Sequence, residues 1–182
     1  MNFKLAPAII LNGYYPDNVL TNFMLSDHSR DPFSISNEKY EKSVQLANGS
    51  TRKYVISSRR SISLNWNNLP SHSVATVDHG AGAADMERFY KNNYNNEITV
   101  YLFKDENIGN GNRGTFTSSA LYIDPYGHGV VASMPAQYSL AASITVFIDS
   151  FSIDINKRFY GGGTPESGWY DLWNVSLSLK EV

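Results

Sequence analysis

The chain has 182 residues, enough for about one domain with a sizeable buried core. Charged residues make up 18% of it, below the usual ~25%, and 18 Asn and 22 Ser supply polar surface in their place. A net charge of −2 excludes a global basic field, and the absence of cysteine excludes disulfides, zinc ribbons, iron–sulfur ligation and thiol nucleophiles.

Residues 1–50 follow neither hydrophobic period. Pro7, Pro16 and Pro32 interrupt short apolar clusters such as Ala8-Ile9-Ile10-Leu11 and Phe23-Met24-Leu25. The segment reads as an irregular N-terminal arm or extension that packs on the core or orders against another subunit. No uninterrupted apolar run approaches the ~20 residues needed to span a bilayer, so a soluble protein with no membrane partner is expected.

From residue 51 to 182 the pattern is that of a β domain. Ile62, Leu64 and Trp66 alternate with Ser61, Ser63 and Asn65, a stripe that ends at Asn67-Asn68-Leu69-Pro70. A flexible loop of about 15 residues, carrying Gly80 and Gly82, should follow. Ala83 to Asn93 then has helical spacing at Ala83, Met86, Phe89 and Tyr90, with Asp85 early and Lys91 late, as the helix dipole favours. Ile98, Val100 and Leu102 predict another strand, Phe116 to Ile123 a further one, and Ser143 to Ile155 a long, bent one. The last is Trp173, Val175, Leu177 and Leu179 against Asn174, Ser176, Ser178 and Lys180. Gly109-Asn110-Gly111-Asn112-Arg113-Gly114 and Gly161 to Pro165 read as long loops between strands. One buried and one wet face per strand predicts an antiparallel β-sandwich or β-barrel with one flanking helix.

Chemistry is sparse. His28, His72, His79 and His128 form no H-x-x-x-H pair, so a zinc site would need long-range assembly. The serines include no G-x-S-x-G elbow, and the glycine runs lack phosphate-cradle spacing. Asp149, Asp154 and Glu166 could pair for glycoside hydrolysis, but wet strand faces account for the first two more simply. Trp169, Tyr170 and Trp173 could form a sugar platform or pack at the core's rim. Arg52, Lys53, Arg59 and Arg60 form the one basic cluster, suited to phosphate contact, to a subunit contact or to a solvated edge strand. The expectation is a non-enzymatic protein with no cofactor and no metal.

Three segments in order carry a resemblance: Ser58-Arg59-Arg60-Ser61-Ile62-Ser63-Leu64-Asn65-Trp66 running to Pro70, Ala84-Asp85-Met86-Glu87-Arg88-Phe89-Tyr90, and Tyr170-Asp171-Leu172-Trp173 running to Val182. Together they resemble tail-tube-like and other small virion structural proteins of long-tailed bacteriophages, over residues 51–182. The resemblance implies a homohexameric ring, stacked with others into a tube in the virion tail and assembled in the host cytoplasm. Its partners would be copies of itself, other tail proteins, and phage DNA passing through the lumen without specific binding. On that basis the subunit contacts are expected at the N-terminal arm, at the loop around Leu69, Asp78 and His79, at Gly109 to Gly114, and at Arg59 and Arg60. A tube subunit, a distal-tail or baseplate ring and a terminator ring all fit this pattern. The alternative is a carbohydrate- or receptor-binding β-sandwich.

Overall fold

A computed structural model describes residues 9–15, 19–102, 122–123, 130–133, 142–159 and 170–182. Nine strands lie among them: β1 (Ile9–Tyr14), β2 (Leu20–Leu25), β3 (Ser34–Gln45), β4 (Thr51–Pro70), β5 (Ile98–Leu102), β6 (Tyr122–Ile123), β7 (Val130–Ser133), β8 (Ala142–Phe159) and β9 (Tyr170–Glu181). They form one antiparallel sheet in the order β3-β4-β9-β8-β5-β1-β2-β7-β6. The fold is mainly β with one flanking helix among the described residues, α1 (Ala83–Asn93).

Period-two alternation places the core on one face of this sheet. Ile62, Leu64 and Trp66 of β4 are buried beside Val175, Leu177 and Leu179 of β9, and Ile144, Val146 and Ile148 of β8 continue the layer. Ile98, Val100 and Leu102 of β5, with Leu11 and Phe23, complete it. Met86 and Phe89 of α1 close over that face, and the Phe89 ring stacks on Phe23 at 4.6 Å between centroids. The opposite face of β1 and β2 is also buried at the register pair Ile10 and Met24.

Hydrogen bonds from the chain leaving β2 bring β2 and β4 together, although four strands separate them in the sheet. The Trp66 indole N–H donates to the Ser26 carbonyl at 2.7 Å, the Asp31 N–H to the Asn65 carbonyl, and the Asn67 N–H to the Ser29 carbonyl. The sheet therefore curls on itself around its apolar face. Among the described residues the eleven-residue helix α1 adds further cover to that face.

Two expectations need correction. The described part of the first fifty residues, 9–15 and 19–50, is not an irregular arm, since β1 and β2 pair inside the sheet and bury Ile9, Leu11, Phe23 and Leu25. Each strand is only six residues long, too short to display a period between flanking prolines. The sheet likewise does not divide at residue 50, because β3 pairs with β4 from Ser34↔Ser63 out to Gln45↔Thr51.

The second concerns the link before α1, which is clasped shut. Built on Gly82, a Cβ would lie 2.5 Å from the Ser71 carbonyl oxygen, and on Gly80 it would lie 2.6 Å from the Ser26 Cα. These glycines serve close backbone approach here. At the end of β4 the register shifts between Trp66 and Leu69, with Asn68 at φ +59°, so pairing continues through a bulge to Pro70. In β8, register shifts at Ile148/Ser150 and Ile155/Lys157 interrupt the long strand where a bend was expected.

Candidate assembly surface

Beyond Arg60 the strand β4 loses β9 as a neighbour and keeps only β3. The two strands run on as a ribbon through a tip at Leu46 to Ser50. Ten residues, Ser36 to Gln45, lead from the last core-packed position, Ile35, to that tip, a reach of about 30 Å. The tip closes where the Leu46 N–H donates to the Ser50 carbonyl, with Gly49 at φ +80° and the Asn48 side chain accepting from the Ser50 N–H and hydroxyl. Every residue of β3 except Ile35 is exposed.

Cross-strand register sorts the ribbon's side chains by face, because paired residues project to the same side. The pairs Tyr40↔Ser57, Lys42↔Tyr54 and Val44↔Arg52 lie on the face opposite the core, together with Glu38↔Arg59. Glu41↔Val55 and Ser43↔Lys53 lie on the other face, where Lys53 bonds Glu41 at 2.5 Å. Ile56 is the extra residue of the bulge between them and is 71% exposed. Tyr40, Val44, Tyr54 and Val55 are exposed as well. Apolar groups in water on both faces of a two-stranded ribbon are unusual, since such ribbons are marginal on their own.

Ion pairs fasten the ribbon's root on both faces. Arg60 donates from Nε and Nη2 to the two oxygens of Glu181, at 3.0 and 2.6 Å, and its backbone N–H donates to Oε2 at 2.8 Å. These bonds hold the Glu181 carboxyl below the usual glutamate range and raise the Arg60 guanidinium. On the opposite face Lys180 pairs with Glu38 at 3.4 Å, and that contact raises the Lys180 ammonium.

The remaining expected contact residues divide. Arg59 is exposed on the ribbon, whereas Arg60 is committed to Glu181. Leu69 is fully buried, so the bulge that turns Asn67 and Asn68 outward sends it into the core and away from any partner. Asp78 works internally: Oδ1 accepts from the Ser26 hydroxyl at 2.7 Å and the Gly80 N–H at 3.0 Å, and Oδ2 from the Asp27 N–H at 2.6 Å. His79 is exposed at φ +54°, beside Val77, which is 71% exposed. Gly109, Asn110, Gly111, Asn112, Arg113 and Gly114 lie outside the described residues.

Two Asp-His dipeptides, Asp27-His28 and Asp78-His79, meet across this clasp, which their separation in sequence did not reveal. The Val77 N–H donates to His28 Nδ1 at 3.2 Å. Burial, with Asp78 nearby, raises the Asp27 carboxyl, and Arg30, paired with it at 2.5 Å, opposes the shift. Ser26 is fully buried with its hydroxyl given to Asp78 and accepting from the His28 N–H, a structural bond network and not a nucleophile–base arrangement.

Trp173 packs against the core, Tyr170 is half-buried, and Trp169 lies outside the described residues. Among the described residues no cluster of three metal-ligating side chains occurs and no helix is long and apolar enough to cross a membrane. Beneath α1 a small gap is lined by apolar side chains including Leu11, Phe23, Met86, Phe89 and Ile148. No family model matches the chain, and no curated protein matches it.

Proposed function

We propose that the chain is a non-enzymatic structural subunit that assembles with copies of itself, of the kind that forms a homohexameric ring in a phage tail and contributes to its DNA conduit. One observation carries the self-assembly reading. Strand β3 ends the strand order and presents twelve residues with β4 on one side and no strand on the other among the described residues. Lys39, Lys42 and the bulge at Tyr40/Glu41 discourage indiscriminate pairing along this edge, but neither proline nor burial blocks it, so its length remains a template for a partner of matching charge. The resemblance of residues 51–182 to tail-tube-like proteins supplies the finer reading of ring, tail and conduit.

The face opposite the core agrees with that reading. Ser61, Ser63 and Asn65 of β4, Ser176 and Ser178 of β9, and Ser150 and Ser152 of β8 form a hydroxyl and amide surface with little charge. This patch stays wet and offers no cation to hold a passing polyanion, and the cations of the same face, Lys180, Lys42, Arg52 and Arg59, lie at the ribbon and its root.

Light scattering of the purified chain across a concentration series, with negative-stain electron microscopy of the same samples, tests the proposal. Rings or tubes with sixfold symmetry are the expected result. A monomer at every concentration would overturn self-assembly and leave a glycan-binding screen as the next step.

A further inference from the structure

We infer that the β3–β4 ribbon is the arm by which one copy grips a second copy of this chain, through its apolar side chains and its positive charge. The inference rests on the self-assembly reading and names the contact that makes it.

Charge is divided between ribbon and body. Residues 34–60 contain six basic residues (Lys39, Lys42, Arg52, Lys53, Arg59, Arg60) and two acidic ones (Glu38, Glu41), a formal charge of +4. The whole chain carries −2, so the remainder carries −6, and the described residues of the body, with ten acidic and six basic side chains, account for −4 of it. Both ribbon carboxylates are already neutralised, Glu41 by Lys53 and Glu38 by Lys180. Lys39, Lys42, Arg52 and Arg59 make no ion pair among the described residues, and on the body neither do the exposed Asp149 and Asp154 of β8. A positive arm and a negative body on one molecule attract head to tail, which propagates from copy to copy as an isologous contact between like charges does not.

The apolar groups decide between partner classes. A nucleic acid would use the basic residues and stack on Tyr40 or Tyr54, but would leave Val44, Val55 and Ile56 in water. A protein surface covers all of them and can also satisfy the free backbone edge of β3. The ribbon contributes nothing to the core beyond Ile35, so its exposed side chains are not explained by folding.

Two variants of the full chain test this by light scattering at low and high salt. In the first, residues 39–58 are replaced by Asn-Gly, a two-residue hairpin turn that closes Glu38 on its register partner Arg59. In the second, Lys42→Glu and Arg52→Glu are combined on exposed positions, which keeps the fold in place if the shortened chain fails to fold. The parent should assemble, less readily at high salt. The shortened chain should be monomeric with an unchanged far-ultraviolet spectrum per strand residue. The double substitution should raise the half-assembly concentration about tenfold or more. Assembly of both variants at the parent's concentration overturns the inference while leaving the self-assembly reading intact. A parent that never assembles overturns the reading itself. A monomeric parent that binds duplex DNA, with binding lost in the double substitution, replaces the second copy with a polyanion and so also overturns the inference.

Discussion

Arg60 and Glu181 stand 121 residues apart and meet through three hydrogen bonds at the point where β4 parts from β9. The pair is the hinge pin of the ribbon: the guanidinium lies on β4 just beyond the last β9 pairing, Ser61↔Lys180. Both side chains are substantially solvent-exposed, so the ion pair adds little to global stability. Its consequence is local. Glu181→Gln should change unfolding free energy by less than ~1 kcal/mol yet accelerate amide exchange in Asn37 to Glu41 and Val55 to Arg60. The Glu181 carboxyl is held below the ordinary range, so its contribution is present above the unfolded pKa and lost as pH falls through the folded one. Exchange at the root should therefore speed up on acidification in the parent and change less in the variant. Equal pH dependence in both would remove Glu181 as the fastening group.

Gly82 lies against the Ser71 and His72 backbone, where an added Cβ has atoms at 2.5 and 2.6 Å and no flexible side chain to displace. Gly82→Ala should destabilise the fold by about 2–3 kcal/mol in urea unfolding. Gly49, at φ +80° with nothing within 4 Å of its Cβ position, provides the contrast. Gly49→Ala should cost about 1 kcal/mol of local strain at the ribbon tip, with the core's unfolding midpoint unchanged. Equal losses of global stability would make the ribbon part of the cooperative core.

Tyr15 donates its hydroxyl to Asp85 at 3.3 Å in a buried site, and burial with the nearby carboxylate pushes the phenol from 10.0 up to about 12. A phenol whose pKa is raised on folding stabilises the protein below the unfolded value and loses that contribution as pH climbs from ~10 towards 12. The unfolding midpoint should fall across that range, and Tyr15→Phe should flatten the fall. A second effect separates the partner: Asp85 Oδ2 also accepts from the Gly82 and Ser73 N–H groups, at 3.1 and 3.2 Å. Asp85→Ala leaves both donors buried and unpaired at the helix start, at a cost of about 2–4 kcal/mol.

Leu64 and Ile56 sit eight positions apart on β4 and should behave oppositely. Leu64 is fully buried, and Leu64→Ala should cost about 2–5 kcal/mol through lost burial and the cavity left behind. Ile56, exposed on the ribbon, should tolerate Ile56→Ser within about 0.5 kcal/mol of folding stability while assembly weakens. A large stability loss at Ile56 would place the ribbon's apolar groups inside the monomer's own packing.

Much of the core was legible along the chain because strands with one buried face alternate visibly. Ile62-Leu64-Trp66, Ile98-Val100-Leu102 and Val175-Leu177-Leu179 are buried as their spacing indicates, and α1 spans Ala83–Asn93 as its apolar period and end charges indicate. The ribbon was harder to read. Its β3 strand has no buried stripe, and the charged run Glu38-Lys39-Tyr40-Glu41-Lys42 conceals a β conformation that only pairing with β4 supports. One local signal was present, the Asn48-Gly49 turn dipeptide between two stretches of β-forming residues.

Local patterning determined where the strands of residues 51–102 and 143–182 begin to bury side chains, and where the helix interrupts them, because period and caps act within a few residues. Sheet order, the curl that brings Ser26 to Trp66, the burial of Leu69 and the meeting of Asp27-His28 with Asp78 were decided by the tertiary structure alone. Each depends on pairing across 40 or more residues, and a backbone N–H or carboxylate carries no mark in the sequence of which distant group will satisfy it. The same holds for the ribbon: six basic residues are plain in the sequence, but only the loss of β9 beyond Arg60 leaves them on a free-standing arm.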